Sequence, residues 1–287
     1  MTEPWTHHHT LINGFKMHYV IAGSGSPVVL VHGWPQSWYE WRKVIPALAE
    51  KHTVIAVDLR GLGDSGRPDT GYDKRTLGDD VYQLVKKLGY SKIGLVGHDW
   101  GGVVSYYLSY DHPEMIERLM ILDMIPGLGR AGEPMPVEMT RKFWHVFFHG
   151  GNPDMAVKLV GNDVRGYLTH FYTSSDYNYS PAAFTSEDID EYERVYSAPG
   201  ALKAGFQYYA TGIREDMDNL AACTETLKMP VLAWSGTLLQ DYMLPAWQQV
   251  ADNVEGGVVP ECGHFIAEEK PQFVIDEALK FFAPLND

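Results

Sequence analysis

The chain has little cysteine, little positive charge and no long apolar run, and each shortage excludes a class of protein. Its 287 residues include two cysteines, Cys223 and Cys262, which are too few for a disulfide framework and fit a reducing compartment. No apolar run is long enough to span a membrane, and residues 1–10 contain no signal-peptide core, so we expect a cytoplasmic protein. The formal net charge of −14 argues against nucleic acid or an anionic membrane as a partner.

The chain also lacks a Gly-x-Ser-x-Gly motif, so a serine nucleophile on the elbow turn of esterases and lipases is excluded. The same spacing carries an aspartate in Gly97-His98-Asp99-Trp100-Gly101, directly after the apolar run 93–96. This pattern predicts a buried strand, a sharp turn at Asp99 and the start of a helix. The alternative is that Asp99 merely caps an ordinary helix.

The residue at the apex of such a turn decides the chemistry. A serine that attacks a saturated carbon forms an ether, which water does not readily cleave. An aspartate forms an ester, which a hydrolytic site can cleave. Asp99 therefore indicates substitution at an sp³ carbon, either the opening of an epoxide or the displacement of a halide.

A base and an acid are needed beside this nucleophile. His264 lies on a glycine-containing loop late in the chain, where an elbow hydrolase carries the base that activates water. Asp123 ends the predicted strand 117–122, and Asp241 follows the predicted strand 231–234. Either carboxylate is a candidate to orient His264, and we favour Asp123 over Asp241.

The segment His32-Gly33-Trp34-Pro35 ends another predicted buried strand. In an elbow hydrolase the loop at this place supplies one N–H of the oxyanion hole, and the residue after the nucleophile supplies the other. We therefore predict that the backbone amides of Trp34 and Trp100 stabilise the oxyanion that forms when water attacks the ester. A cis peptide bond before Pro35 is expected as well.

The order of predicted elements indicates the domain organisation. Strands alternate with helices in residues 1–126 and again in 219–287, which predicts an α/β core with a mostly parallel, doubly wound sheet. Between residues 127 and 218 the strand signals vanish, and the sequence is helical and rich in Phe, Tyr, Met and His. We interpret 127–218 as a helical cap inserted into the core.

The three segments that carry His32 to Pro35, Gly97 to Gly102 and Cys262 to Phe265 together resemble the α/β-hydrolase superfamily. They resemble its aspartate-nucleophile branch, which contains epoxide hydrolases, haloalkane dehalogenases and fluoroacetate dehalogenases. The resemblance covers nearly the whole chain. It implies the α/β-hydrolase fold and a reaction without a cofactor or a metal.

Epoxide hydrolases of this branch hold the epoxide oxygen with two cap residues, usually two tyrosines and in one subgroup a histidine and a tyrosine. The segments 143–148 and 206–210 resemble those that carry this pair, which implies His145 and Tyr209, with Tyr208 as the rival. Two hydrogen-bond donors can stabilise the alkoxide that ring opening creates. The alternative is that these side chains only pack an aromatic cap.

The dehalogenases of the branch fit less well. Fluoroacetate dehalogenases bind their carboxylate through arginines at the positions that Trp100 and Val103 occupy here, so a haloacid has no cationic anchor. Trp100 is a candidate halide donor of the haloalkane dehalogenase type, but many epoxide hydrolases carry the same residue.

The sequence thus predicts an epoxide hydrolase that forms a vicinal diol through an ester on Asp99. A hydrolytic dehalogenase is the alternative, and a non-catalytic ligand receptor is less favoured. An aromatic, Met-rich cap indicates a small apolar or aryl-bearing substrate. We expect a monomer or homodimer whose substrate contacts come from five aromatic residues: Trp34, Trp100, Trp144, Phe148 and Tyr208.

Overall fold

The fold is built around one eight-stranded sheet in a computed structural model that describes residues 4–127 and 137–286. The strand order is β1-β2-β4-β3-β5-β6-β7-β8, and β2 pairs antiparallel with both β1 and β4 while the other pairs are parallel. The strands are β1 (Thr6–Ile12), β2 (Phe15–Gly23), β3 (Ser26–Val31), β4 (His52–Val57), β5 (Ile93–His98), β6 (Ile116–Leu122), β7 (Val231–Ser235) and β8 (Val254–Val258).

Helices cover both faces of this sheet. Those of the core are α1 (Ile45–Leu48), α2 (Lys74–Lys87), α3 (Trp100–Asp111), α11 (Met243–Gln248), α12 (Ile266–Glu269) and α13 (Pro271–Phe282). Between β6 and β7 lie α4 (Val137–Lys142), α5 (Trp144–Gly151), α6 (Pro153–Val160), α7 (Val164–Thr173), α8 (Ser186–Tyr196), α9 (Ala201–Gly212) and α10 (Glu215–Ala222). Short 3-10 segments are Trp38–Trp41, Pro181–Ala183, Gln240–Tyr242 and Ala283–Asn286.

The central strands are continuous apolar runs because both of their faces are buried. Side chains alternate along β3, so Val29 and Val31 join the apolar cluster beneath α2 and α3. Val28 and Leu30 join a second cluster with α1 and α13 on the opposite face. This arrangement confirms the predicted α/β fold with a mostly parallel, doubly wound sheet.

Two elements have local explanations in the sequence. Residues 38–48 form the segment Trp38–Trp41 and α1 rather than one helix, because Pro46 lies in the first turn of α1 and starts a new helix there. The last strand, β8, includes Gly256 and Gly257. Gly256 lies so close to β7 that a Cβ atom there would be 1.8 Å from the Ala233 carbonyl oxygen, so the strand needs glycine where a strand pattern would show a larger residue.

In the described residues between β6 and β7 the named elements are helices, joined by loops. Its helices α5 and α6 pack on α9, and α7 packs on α8. Side-chain caps begin several of them: Asn152 caps α6, Asp163 caps α7, and Thr185 forms a capping box with Asp188 at α8. Across 4–127 and 137–286, each helix is too short or too polar to cross a membrane.

Candidate active site

Asp99 occupies the turn between β5 and α3, and its backbone is strained. Its φ is 50° and its ψ is −130°, a conformation that non-glycine residues rarely adopt. The flanking glycines allow the turn, because a Cβ on Gly97 would lie 2.5 Å from the Gly101 carbonyl oxygen, and one on Gly101 would lie 2.3 Å from the Val31 carbonyl oxygen. The Asp99 side chain makes no capping hydrogen bond to α3, so the turn is built like a nucleophile elbow rather than an ordinary helix cap.

The Asp99 carboxylate is held by backbone donors on one side. The Trp34 N–H donates to Asp99 Oδ1 at 2.8 Å, and the nearby Trp100 N–H contributes to lowering the pKa of Asp99. Gly33 permits this approach, since a Cβ there would be 2.3 Å from the Asp99 Cβ. The peptide bond between Trp34 and Pro35 is cis, as the sequence predicts. Two backbone amides thus lie near this carboxylate, where backbone donors can stabilise negative charge.

His264 lies on the other side of the carboxylate. Its Nε2 is 3.5 Å from Asp99 Oδ2, and its Nδ1 is 2.6 Å from Asp123 Oδ2. The second oxygen of Asp123 accepts the Gly236 N–H at 2.7 Å, so this buried carboxylate is fully engaged. Asp241, the alternative acid, is exposed in the segment Gln240–Tyr242. The structure therefore brings Asp123 to His264.

The electrostatics of these three groups are coupled. Burial alone lowers the pKa of His264, but hydrogen bonds and charges from Asp123 and Asp99 outweigh it and raise that pKa to about 10. Burial likewise raises the pKa of Asp99, but the bond and charge of His264 outweigh it and the pKa falls below its usual value. Before any reaction, an imidazolium therefore stands between two carboxylates, and Asp99 is ionised as a nucleophile must be.

The predicted pair His145 and Tyr209 lies beside this centre. The His145 ring on α5 is nearly parallel to the Trp34 indole at 6.2 Å and lies 5.6 Å from the Tyr209 ring. The Tyr209 ring on α9 is 5.3 Å from the rings of both Trp34 and Trp100. Burial lowers the pKa of His145 to about 3, so its imidazole is neutral.

The other predicted substrate contacts are arranged differently. Tyr208 faces away from the pair, because its buried hydroxyl donates to the Arg60 carbonyl at 2.7 Å. Tyr209 is therefore the tyrosine of the two that lies beside Trp34 and Trp100. Trp144 is 38% exposed, and its ring lies 6.0 Å from His145 and 5.9 Å from Phe148, so both aromatic residues form an outer layer around His145.

Three nearby side chains were not identified from the sequence. His149 is buried one helical turn after His145 and stacks on Phe206 at 4.1 Å, and the four-residue spacing on a predicted helix is the signal that was available. Lys74 is fully buried, with its ammonium 3.9 Å from the centre of the Trp100 ring. The Tyr177 hydroxyl lies 3.1 Å from His145 Nδ1. Neither Lys74 nor Tyr177 has a local sequence signal.

One group of potential metal ligands lies elsewhere among the described residues. His18, Asp58 and Asp64 approach one another beneath β1 and β2. Asp58 already accepts hydrogen bonds from His18 Nδ1 at 2.6 Å and from the backbone amides of Trp38 and Asp64. These bonds give the group a structural explanation.

Comparison with known proteins gives the same family. A family profile for the alpha/beta hydrolase fold matches residues 26–271. The chain is 61% identical to a soluble epoxide hydrolase of Corynebacterium sp. over 100% of both chains. It is 29% identical to a fluoroacetate dehalogenase of Burkholderia sp., over 88% of this chain and 85% of that protein. The solved structure of the epoxide hydrolase CorEH without ligand superposes with a TM-score of 0.96 at 62% identity, over 98% of this chain and 99% of that one. This chain belongs to the α/β-hydrolase family, on the branch that contains these epoxide hydrolases.

Proposed function

We propose that the protein is an epoxide hydrolase that converts a small apolar or aryl epoxide into a vicinal diol through an ester on Asp99. The observation that carries this proposal is the arrangement around one carboxylate. The Trp34 amide and His264 contact Asp99, and the charge of Asp99 acts on both the neutral His145 and Tyr209, whose rings are 5.6 Å apart. The 61% identity to an epoxide hydrolase over the whole chain supports the same reaction.

In the first step an oxygen of Asp99 attacks an epoxide carbon. The carbon–oxygen bond of the ring breaks, and its electron pair moves to the epoxide oxygen. His145 and Tyr209 donate hydrogen bonds to that oxygen, which takes up a proton. The proton count balances, because His264 loses a proton once Asp99 is esterified and no longer negatively charged.

In the second step neutral His264 takes a proton from water, and the oxygen of that water attacks the carboxyl carbon of the ester. The developing negative charge on the other carboxyl oxygen is stabilised by the amides of Trp34 and Trp100. Collapse breaks the acyl–oxygen bond, and the leaving alkoxide takes the second proton of the attacking water to give the diol. Asp99 returns as a carboxylate and His264 as an imidazolium, held by Asp123 as at the start.

Residues 127–218, of which 128–136 lie outside the described residues, are proposed as the cap that covers this site and supplies His145 and Tyr209. Residues 1–126 and 219–287 are proposed as the two parts of the core. Trp144 and Phe148 are proposed substrate contacts at its outer layer, and Tyr208 is not proposed because its hydroxyl is bonded to Arg60. The free thiols of Cys223 and Cys262 support the proposal of a cytoplasmic enzyme. We propose a monomer or homodimer.

The test is a paired turnover assay on the purified protein. Styrene oxide is assayed for the diol, and 1-bromobutane and fluoroacetate are assayed for free halide. For the wild-type protein we expect diol without halide. Asp99→Asn should give no diol, and Tyr209→Phe should give diol at a reduced rate. Halide without diol would replace this proposal with a dehalogenase, and binding of styrene oxide without turnover would favour a receptor.

A further inference from the structure

Tyr177 contacts two residues of the proposed active site, His145 and His264. It lies between α7 and the segment Pro181–Ala183, and it is 3% exposed. Its hydroxyl is 2.7 Å from the Lys142 carbonyl oxygen and 3.1 Å from His145 Nδ1. Its own carbonyl oxygen accepts the backbone N–H of His264 at 2.6 Å.

The hydrogen bonds of Tyr177 conflict with the donor role proposed for His145. A neutral imidazole carries one proton, and a tyrosine hydroxyl carries one. While Tyr177 donates to the Lys142 carbonyl, its oxygen can only accept from His145, so the proton of His145 must sit on Nδ1. The Nε2 atom of His145 then has a lone pair and no hydrogen. In this state His145 cannot donate a hydrogen bond to an epoxide oxygen.

The conflict is resolved if the Tyr177 hydroxyl donates a hydrogen bond to His145 Nδ1. The Tyr177 hydroxyl lies at this atom, and the Lys142 carbonyl, which accepts from Tyr177, also hydrogen-bonds with the His145 imidazole. A carbonyl only accepts, whereas a hydroxyl can turn and donate. If Tyr177 turns from Lys142 to His145, Nδ1 becomes the acceptor and the proton of the ring is held on Nε2. The imidazole exchanges its single proton with water between the two nitrogens, so no net proton is gained or lost.

We infer that Tyr177 is a positioning residue that sets the tautomer of His145, so that His145 can present Nε2–H to the epoxide oxygen. This inference rests on the proposed function, because it assigns the hydrogen-bond donor of the ring-opening step. The Tyr177 hydroxyl acts on ester formation. Its backbone carbonyl, which holds the His264 loop, does not depend on the side chain.

Tyr177→Phe removes the hydroxyl and keeps the ring. The Lys142 carbonyl is then the acceptor left facing Nδ1, which holds the proton of His145 there and leaves Nε2 without hydrogen. We expect the rate of ester formation to fall about 10- to 100-fold, the usual range when a group that orients a catalytic side chain is lost. The rate of ester hydrolysis should stay within about 2-fold, because the backbone bond to His264 is retained.

The experiment separates the two steps on the whole protein with styrene oxide as the probe. Rapid quenching and mass spectrometry give the rates at which the adduct on Asp99 forms and disappears. Nitrogen-15 chemical shifts of His145 report which ring nitrogen carries the proton, a readout that a merely structural role would not move. Tyr179→Phe is the matched control, since Tyr179 is 54% exposed two residues away and should leave both rates unchanged.

The outcomes are distinguishable. Absence of an adduct in the wild-type protein would remove the proposed function itself. A wild-type adduct with equally fast formation in Tyr177→Phe, or with an unchanged His145 tautomer, would overturn the role of Tyr177 alone. If Tyr177→Phe does not fold, 3-fluorotyrosine at position 177 keeps the shape and strengthens the donor. It should then shift His145 towards the Nε2–H form, and an unchanged tautomer there would also overturn the inference.

Discussion

Asp123→Asn tests how the proposed base is oriented. The two Asp123 oxygens accept from Gly236 N–H and from His264 Nδ1, and both bonds are buried. An asparagine has one acceptor oxygen. If that oxygen keeps the Gly236 bond, the amide NH₂ faces His264 and can only donate. His264 then accepts at Nδ1 and carries its proton on Nε2, towards Asp99, where it cannot take a proton from water.

The magnitude follows from the charges around His264. Raising its pKa from 6.5 to about 10 corresponds to a preference of about 5 kcal/mol for the imidazolium, which Asp123 and Asp99 supply together. The same substitution in Ser-His-Asp hydrolases lowers turnover about 10⁴-fold through the wrong tautomer. We expect ester hydrolysis to slow about 10³- to 10⁴-fold here. Ester formation should slow less, because the Trp34 and Trp100 amides still hold Asp99.

Single-turnover mass spectrometry with styrene oxide measures both rates. Asp123→Asn should accumulate the Asp99 adduct while steady-state diol production falls. Asp241→Asn is the control, because Asp241 is exposed and should leave the adduct short-lived. An adduct in Asp123→Asn that hydrolyses at the wild-type rate, or one that persists in Asp241→Asn, would refute the orientation by Asp123.

Three further predictions test the base, a buried carboxyl and a buried cation. His264→Gln should trap the Asp99 ester as a stable mass gain, and an unmodified mass after substrate would contradict the two-step reaction. Burial raises the pKa of Glu40 from 4.5 to about 7, so the wild-type protein loses folding stability as pH rises from 4.5 to 7 and Glu40 becomes charged. In denaturant titrations, Glu40→Gln should therefore gain up to about 3 kcal/mol relative to wild type across this range. A difference that stays constant with pH would contradict this prediction. Lys74→Ala removes the ammonium that lies 2.7 Å from the buried Asp216 carboxylate, and it should lower the free energy of unfolding by about 3–5 kcal/mol. The exposed control Lys203→Ala should lower it by about 0–1 kcal/mol. Equal losses in the two variants would refute this reasoning.

The parts of the site that were predictable from the sequence are those that a short segment specifies. Gly97 is required by its close backbone contact with Gly101, so the spacing within the turn carries this information, whereas Gly101 is required by its contact with Val31 at the end of β3. The strand alternation that predicted the sheet has the same local origin. The contact between Gly97 and Gly101 joins near neighbours in sequence, and the strands and helices follow a repeated pattern, so short segments specify both.

The choice between Asp123 and Asp241 depended on strand register. β5 and β6 are adjacent and parallel, and His98 pairs with Leu122. The next residues, Asp99 and Asp123, therefore leave the sheet side by side, while Asp241 lies beyond β7. Neither the neighbour relation nor the register is encoded in a local pattern, so the sequence alone could rank the two acids but not exclude one.

Tyr177 and Lys74 were not predictable from the sequence for a different reason. Tyr177 reaches His145 across 32 positions, and Lys74 reaches Asp216 across 142. A lysine at the start of a predicted helix normally indicates a solvated residue, and a tyrosine in an aromatic segment normally indicates packing. Their positions follow from how the helices between β6 and β7 sit on the core, which is a tertiary property.

The coupling of Asp99 to His264 gives the proposed reaction its order. In the resting protein the two carboxylates keep His264 protonated, so it cannot act as a base, and the imidazolium keeps Asp99 ionised. Esterification removes the charge of Asp99 and its acceptance from His264, and only Asp123 then opposes the effect of burial. The pKa of His264 must fall, because burial favours the neutral imidazole. Formation of the ester on Asp99 thus also makes His264 available as a base. Before the ester has formed, His264 is protonated and does not activate water.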